Sequence, residues 1–202
     1  AIVDVVSSIF ETVSNQVRID EHNLLDIGCG EGWLTREFSS RRFDVVGVDA
    51  ASSLVDEARS ISGGTYYAVD YNGLPSVLSG KKFDAAVCNF SLFGKYSVNA
   101  LFKMVPDLLK SGGFFVLQTL HPATYSENTP YVDEWRPGSW DGFSNDFVDP
   151  APFYFRRVGS WIDLFVRNGF TIECLEEPIH PVTERPVSMI LVGKRSKDLS
   201  LY

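Results

Sequence analysis

The sequence has few cysteines, no long apolar run and no excess of basic residues. Its three cysteines are scattered and form no C-x-x-C pair, which argues against structural zinc and favours a reducing compartment. No apolar run approaches the length of a membrane span. Acidic residues outnumber basic ones by 26 to 18, which disfavours nucleic-acid binding because that binding depends on neutralising phosphates. A local basic patch could still form, since residues 156–157 and 194–195 are close basic pairs. We therefore expect a cytoplasmic protein without a metal site, a membrane partner or a nucleic-acid partner.

At 202 residues the chain is long enough for one domain with a substantial core. Short apolar segments alternate with stretches of helical periodicity. The predicted strands are 24–27, 45–49, 65–69, 83–90, 114–117, 171–175 and 187–192, with a helix over 158–168 before the last two. Strands that are apolar on both faces and separated by helices are typical of a parallel sheet covered on both sides. The pattern therefore predicts an α/β fold.

The alternation stops between residues 121 and 155, where no periodic element is evident. This segment contains six acidic residues against one arginine, and many aromatic residues, which argue against disorder. The aromatics are Tyr125, Tyr131, Trp135, Trp140, Phe143, Phe147, Phe153, Tyr154 and Phe155. Irregular segments of this length are usually lids or binding loops. We expect a single domain over residues 1–202, with an aromatic-rich lid or insertion at about 121–155 whose rings either line a pocket or hold the segment onto the sheet.

The most informative segment is the turn after the first predicted strand. Residues 26–32 read Asp-Ile-Gly-Cys-Gly-Glu-Gly. Glycine allows backbone conformations that other residues resist, and it lets the main chain approach a ligand closely. A dinucleotide-binding loop has the spacing G-x-G-x-x-G, whose third glycine would fall at Trp33. The different spacing, and the carboxylates of Asp26 and Glu31 that would repel a pyrophosphate, favour an adenosyl ligand without phosphate.

Polar residues also end the next three predicted strands, at Asp49, Asp70 and Asn89. Ligands of open α/β sheets bind at the carboxyl ends of the strands. A carboxylate at Asp49 can accept hydrogen bonds from both ribose hydroxyls. Asp70 can accept one from an adenine amine, and Asn89 can face an ammonium group. Any one of these residues could instead be a helix cap or a turn former, but the ordered set is difficult to obtain by chance.

Taken in this order, the motifs resemble those of the class I S-adenosylmethionine-dependent methyltransferases of the small-molecule type. The resemblance rests on the glycine loop, on Asp49 and Asp70, and on segments 83–89 and 108–113, and it is close over residues 22–120. It implies a Rossmann-like, mostly parallel seven-stranded sheet of order 3-2-1-4-5-7-6, with the last strand antiparallel and helices on both faces. It also implies S-adenosyl-L-methionine as cofactor and transfer of its methyl group to a small organic acceptor by in-line displacement.

The resemblance further implies a cofactor site at the carboxyl edge of the sheet. The glycine-loop backbone would cradle the methionyl part, with Asp26 on its ammonium group. Asp49 would hold the ribose, Asp70 the adenine, and Asn89 would lie near the sulfonium. The complete predicted set is Asp26, Gly28, Cys29, Gly30, Gly32, Asp49, Ala50, Leu54, Asp70, Tyr71, Asn89 and Phe90.

The catalytic residue is harder to predict. Many members of that family carry a histidine shortly after the fourth strand, whereas residues 90–94 here read Phe-Ser-Leu-Phe-Gly. His121, directly after the fifth strand, is the best-placed general base, since a neutral imidazole can take a proton from a hydroxyl or an amine. His121 could instead be a structural residue at a loop corner. A base is also dispensable where alignment of the reactants supplies the rate.

Two other functions stay open on the sequence alone. A nicotinamide-dependent oxidoreductase would use a related sheet, although the glycine spacing and the acids of the loop count against it. A binding module could keep the S-adenosylmethionine site without turnover. The acceptor atom is open among oxygen, nitrogen, carbon and sulfur, and so is the oligomeric state.

Overall fold

The computed structural model describes residues 1–14, 22–61, 63–126, 129–138 and 151–196. The helices are α1 (Ile2–Ser14), α2 (Trp33–Ser40), α3 (Ser52–Ile61), α4 (Leu74–Val77), α5 (Tyr96–Leu108), α6 (Pro122–Tyr125) and α7 (Val158–Arg167), with a 3₁₀ turn at Tyr71–Gly73. The strands are β1 (His22–Ile27), β2 (Phe43–Asp49), β3 (Thr65–Ala68), β4 (Phe83–Asn89), β5 (Leu109–Leu120), β6 (Glu134–Arg136), β7 (Phe153–Phe155), β8 (Phe170–Glu176) and β9 (Ser188–Arg195).

Seven strands form one sheet in the order β3-β2-β1-β4-β5-β9-β8. The first five pair in parallel, whereas β9 is antiparallel to both β5 and β8. The remaining strands, β6 and β7, pair only with each other. Within the main sheet β8 is therefore the sixth strand along the chain and β9 the seventh. The predicted order 3-2-1-4-5-7-6 and the antiparallel last strand are confirmed.

The helices cover both faces of the sheet because its central strands are apolar on both faces. In β4, residues 85–88 are fully buried. One face carries α5 and α7, and the other carries α1 and α2. Helix α1 contributes a stripe that includes Ile2, Val6 and Phe10, whose spacing places these side chains on one side of the helix. The predicted α/β class is confirmed.

A group of phenylalanines joins α5 and α7 to the sheet. The ring of Phe102 lies 5.0 Å from that of Phe115 and 5.1 Å from that of Phe165, both edge-on. Phe165 rests against β9 where residue 193 is glycine, and a Cβ at Gly193 would lie 2.3 Å from a carbon of the Phe165 ring. The absent side chain of Gly193 therefore lets the aromatic ring of α7 approach the strand.

The segment predicted as a lid contains more regular structure than its sequence indicates. Helix α6 and the strands β6 and β7 lie within residues 121–155. Strands of three residues and a helix of four are too short to produce a detectable periodicity, so the expectation that no regular element occurs here was wrong. The aromatic positions 140, 143 and 147 lie outside the described residues. In the part of the chain that the structure describes, no helix is both long and apolar enough to span a bilayer.

Adjacent residues of α7 test the importance of the aromatic group. Phe165 is fully buried, whereas Val166 is 58% exposed. Phe165→Ala should lower the free energy of unfolding by about 3–5 kcal/mol because it removes a ring from a closely packed core. Val166→Ala should change it by less than about 0.5 kcal/mol. Urea unfolding followed by circular dichroism measures both values, and similar losses in the two variants would contradict this account of the core.

Candidate functional site

A cleft of about 450 Å³ opens at the carboxyl ends of β1, β2, β3 and β4. Half of the predicted cofactor residues line it, namely Gly28, Asp49, Ala50, Asp70, Tyr71 and Phe90. These residues come from the connections after four different strands. The parallel sheet brings those connections together because the carboxyl ends of its strands meet at one edge.

The glycine loop is fixed to the neighbouring strands by its main chain. The amides of Gly28 and Cys29 donate to the carbonyl of Val48, at 2.8 and 3.1 Å. Gly28 has a φ of +78°, and a Cβ there would lie 2.2 Å from the Cβ of Ser91. The Ser91 hydroxyl in turn donates to the carbonyl of Ile27 at 2.8 Å. Only glycine therefore allows the loop after β1 to meet the loop after β4.

Asp49 joins the glycine loop to the start of α3. Its Oδ2 accepts a hydrogen bond from the Gly30 amide at 2.9 Å, and its Oδ1 accepts one from the Ala51 amide at 2.8 Å. Each carboxylate oxygen can accept more than one hydrogen bond, so this carboxylate keeps capacity for hydroxyl groups of a ligand. Gly30 itself has a φ of +55°, and a Cβ there would meet no atom within 4 Å. The loop therefore leaves open space at Gly30.

Asp26 lies beneath the loop and is only 1% exposed. The Thr35 hydroxyl donates to its Oδ2 at 2.8 Å. Burial raises the pKa of Asp26 to about 7, and the nearby charge of Asp49 adds to the increase while the Thr35 hydrogen bond opposes it. A cation placed beside Asp26 would favour its ionised form.

Asp70 and Tyr71 form the wall of the cleft that follows β3. Asp70 accepts a hydrogen bond from the Gly73 amide at 3.0 Å, so it caps the 3₁₀ turn as well as lining the cleft. The Tyr71 hydroxyl donates to the Ser91 carbonyl at 3.0 Å, and burial raises the pKa of Tyr71 above its usual value. The loops after β3 and β4 are thereby linked.

The end of β4 carries two unusual features. Asn89 Oδ1 is buried and has no hydrogen-bond partner among the described residues. Phe90 adopts a φ of +50°, which is uncommon for a residue other than glycine, while its amide donates to the Gln118 carbonyl at 2.9 Å. Phe90 lines the cleft, and the residue before it carries the unsatisfied buried acceptor; both features are typical of a ligand site.

Six residues of the predicted set are not among those that line the cleft. Asp26, Gly30 and Asn89 are described above, and Cys29, Gly32 and Leu54 are the other three. Cys29 packs with Val55, Ala58 and Tyr66. Burial, together with nearby carboxylates, raises the pKa of its thiol to about 12. Gly32 precedes α2 with a φ of +84°, and Leu54 is 39% exposed on α3.

His121 follows β5 at the same edge of the sheet but is not among the residues that line the cleft. It is 4% exposed, and its Nε2 lies 2.7 Å from Glu177 Oε1. Its amide donates to the Val187 carbonyl, so the connection between β8 and β9 holds it from two sides. Its Nδ1 is buried without a partner in the described part of the chain. The catalytic role of His121 stays a prediction.

Sequence reasoning did not select Ser91, Phe93 and Ser97, which also line the cleft. The position of Ser91 directly after Asn89-Phe90 is the one signal that could have identified it. A larger cavity of about 600 Å³ lies at the other end of the sheet, near His22 and Phe43, where β1 and β2 begin. No cluster of three or more potential metal ligands occurs within the described ranges.

Comparison with protein families finds a model described as a methyltransferase domain, which matches residues 5–175. The ubiquinone biosynthesis O-methyltransferase of Azorhizobium caulinodans is 25% identical over 85% of this chain and 70% of its own length. The protein of the same name from Cereibacter sphaeroides is 28% identical over 72% of this chain and 62% of its own length. The chain thus spans about two thirds of the length of these relatives.

Solved structures show the same fold. A putative S-adenosylmethionine-dependent methyltransferase from Listeria monocytogenes has a TM-score of 0.69 at 19% identity, over 87% of this chain and 90% of that one. The magnesium protoporphyrin IX methyltransferase of Synechocystis, solved with bound S-adenosylhomocysteine, has a TM-score of 0.66 at 20% identity, over 96% of this chain and 82% of that one.

The buried Asp26 predicts a pH-dependent stability. Because its pKa is raised in the folded protein, the folded state holds a proton that the unfolded chain loses above about pH 4. The contribution of Asp26 to the free energy of unfolding therefore falls as the pH rises from about 4 to about 7, and it is constant above that range. The free energy of unfolding of Asp26→Asn should therefore rise relative to that of the wild type, by up to about 1.4 kcal/mol per pH unit between pH 5 and 7.

Urea unfolding of both proteins at several pH values measures this difference. The exposed residue Asp44 provides the control variant Asp44→Asn, which should show no such gain. A difference between Asp26→Asn and the wild type that does not vary with pH would contradict the buried, protonated carboxyl group.

Proposed function

This chain belongs to the methyltransferase-domain family over residues 5–175, and we propose that it transfers a methyl group from S-adenosyl-L-methionine to a small organic acceptor. The observation that carries the proposal is the cleft at the carboxyl edge of the sheet. The carboxylate of Asp49, with spare acceptor capacity, lines this cleft, and the open position at Gly30 and the unsatisfied amide oxygen of Asn89 belong to the loops that form it.

The residues of the cleft fit the cofactor. The space at Gly30 suits a ligand that lies against the loop backbone. Asp49 would accept hydrogen bonds from the ribose, with Ala50 beside it, and Asp70 and Tyr71 would bound the adenine. Asp26 and Asn89 would bind the ammonium group of the methionyl part, with Phe90 near the sulfonium. Gly28, Cys29, Gly32 and Leu54 would shape the loop and its surroundings.

When bound, the cofactor supplies a methyl group activated by a sulfonium leaving group. The protein would contribute alignment of the acceptor with that methyl group and exclusion of water, which can lower a barrier by about 7–11 kcal/mol in favourable cases. Half-exposed rings are available for this purpose at the cleft, since Phe90 is 40% and Phe93 56% exposed. They favour an acceptor with an apolar or aromatic part.

The segment 121–155 is proposed as the lid or insertion that covers the acceptor. Its strand β7 contacts the cleft directly, because the Tyr154 amide donates to the Phe93 carbonyl at 2.7 Å. The relatives named above are O-methyltransferases, so hydroxyl acceptors are the first class to test.

His121 is proposed as the proton acceptor for a hydroxyl nucleophile. If its Nε2 carries the proton that Glu177 accepts, the lone pair of Nδ1 is left to receive another. Because Nδ1 is buried, an acceptor could reach it only after the covering residues move. The competing explanation is that alignment of the acceptor with the methyl group supplies the rate of methyl transfer without a base.

The two alternative functions differ from this one in testable ways. A nicotinamide-dependent oxidoreductase is disfavoured by the family match, and it would bind NAD instead of S-adenosylhomocysteine. A binding module without catalysis would bind S-adenosylhomocysteine but release no methyl group to any acceptor.

A substitution at Gly30 tests the cofactor site. Gly30→Ala places a methyl group in the open space of the loop, so it should weaken S-adenosylhomocysteine binding by at least about tenfold, which corresponds to about 1.4 kcal/mol. Gly80 is the matched control, since it also has a positive φ, of +75°, and a Cβ there would likewise meet no atom within 4 Å. Isothermal titration calorimetry measures the affinities.

Both alanine variants should cost about 1–2 kcal/mol of stability for the left-handed backbone. Gly80→Ala should bind S-adenosylhomocysteine like the wild type. Equal affinity of the wild type and Gly30→Ala would remove the glycine loop from the site, and stabilisation of the wild type by NAD alone would refute the proposed function.

The role of His121 can be tested with a panel of phenols, hydroxy acids, amines and thiols and a labelled methyl donor. If His121 is the base, His121→Gln should reduce methyl transfer to a hydroxyl acceptor by about 10²–10⁴-fold, with cofactor affinity unchanged. A loss smaller than about tenfold would indicate that alignment of the reactants, and not proton transfer to His121, supplies most of the rate.

A further inference from the structure

Arg156, the residue directly after β7, is a buried cation that contacts neighbours of the cleft-lining residues Phe93 and Ser97. It is only 4% exposed, so this member of the pair 156–157 does not form a surface basic patch. Its Nη2 donates to the carbonyls of Gly94 and Lys95, each at 2.9 Å, and lies 3.3 Å from Asn99 Oδ1. Its Nη1 is buried without a hydrogen-bond partner in the described part of the chain.

The surroundings of Arg156 contain aromatic rings. Its guanidinium carbon lies 4.9 Å from the ring centres of both Tyr154 and Trp161. No ion pair of Arg156 with a carboxylate occurs among the described residues. Burial lowers its pKa to about 10, which still leaves the side chain charged near neutral pH. The carbonyl groups of residues 94 and 95 therefore supply much of the compensation for its charge.

These carbonyls belong to the segment 93–99, which comprises the end of the connection after β4 and the first turn of α5, and which we call the cleft loop. Two of its residues, Phe93 and Ser97, line the cleft together with Asp49 and Asp70. The cleft loop also receives the hydrogen bond from the Tyr154 amide to the Phe93 carbonyl, and Lys95 Nζ lies 4.8 Å from the Tyr154 ring centre. One wall of the cleft is thus held by residues about 60 positions later in the chain.

We propose that Arg156 is a positioning residue of the cofactor cleft, which fixes the cleft loop so that Phe93 and Ser97 form the wall against which the cofactor binds. This inference rests on the proposed function. The planar guanidinium suits the task, because one side chain can donate to several acceptors in a fixed geometry. Lysine offers a single flexible ammonium group and cannot reproduce that geometry.

The contacts of residues 154 and 156 with the cleft loop also couple cofactor binding to strand β7 of the proposed insertion. A ligand that orders the cleft loop must order the strand that holds it, since coupling between two sites is reciprocal. Cofactor binding should therefore slow hydrogen exchange in residues 153–156, which contact the cleft loop.

The competing explanation is that Arg156 only supports the insertion. Arg136 provides the matched comparison, because it lies on the paired strand β6, is 6% exposed and stacks 3.5 Å from the ring centre of Phe155. Its hydrogen bonds go to Ser126 and Pro130, and none of those described reaches the cleft loop. A purely structural role would make the two arginines equivalent.

The experiment compares Arg156→Lys with Arg136→Lys in the whole chain, with thermal unfolding and calorimetric titration of S-adenosylhomocysteine. Both variants should unfold at lower temperature. Arg156→Lys should bind S-adenosylhomocysteine at least about tenfold more weakly than the wild type, and Arg136→Lys within about twofold. Wild-type affinity in Arg156→Lys, or equal weakening in both variants, would overturn the inference. A wild-type protein that binds no S-adenosylhomocysteine would instead refute the proposed function.

Two further measurements keep the inference testable if Arg156→Lys does not fold. Asn99→Ala removes one acceptor of the guanidinium and should weaken binding in the same direction by a smaller factor. Hydrogen exchange of the unmodified protein, with and without S-adenosylhomocysteine, should show protection of residues 153–156. Unchanged affinity in Asn99→Ala together with unchanged exchange would contradict the coupling.

Discussion

The carboxylate of Asp49 is the contact on which the architecture of the cleft depends. It stands at the last position of β2 and receives the amide of Gly30 from one loop and the amide of Ala51 from the start of the next helix. Without it, the main-chain amides of Gly30 and Ala51 would lose their hydrogen-bond partner. The parallel sheet supplies the position, because the end of β2 lies beside the end of β1. One side chain therefore both shapes the loop and offers acceptors to a ligand.

The cleft is assembled from two parts of the chain with different roles. The first hundred residues supply the glycine loop and the strand-end polar residues, whereas residues 153–156 hold the opposite wall from outside. Methyl transfer needs a cofactor site and a separate acceptor site that meet at one atom. If the segment 121–155 covers the acceptor as proposed, its sequence can vary to suit that acceptor without altering the strands of the main sheet.

Several parts of this structure follow from local patterns. Buried parallel strands are nearly continuous apolar runs, and the glycine spacing and strand-end acids restrict the ligand, so the sheet and half of the lining residues were predictable. The strands β6 and β7 were not, because three residues carry no periodicity. The contacts of His121 with Glu177 and of Arg156 with the cleft loop join residues 56 to 62 positions apart, and no local pattern encodes such pairings. Phe93 and Ser97 were missed for the same reason, since their place in the wall depends on tertiary structure.

The burial of Cys29 has a chemical consequence for a protein that binds an alkylating agent. A thiolate is a strong nucleophile towards a methyl sulfonium, whereas the neutral thiol is a poor one. Burial raises the pKa of Cys29 to about 12, so at pH 7 its side chain is almost entirely the neutral thiol. The neighbouring carboxyl groups of Asp26 and Asp49 also oppose that ionisation. Burial thus keeps the sulfur atom of the glycine loop in the form that reacts poorly with a methyl donor.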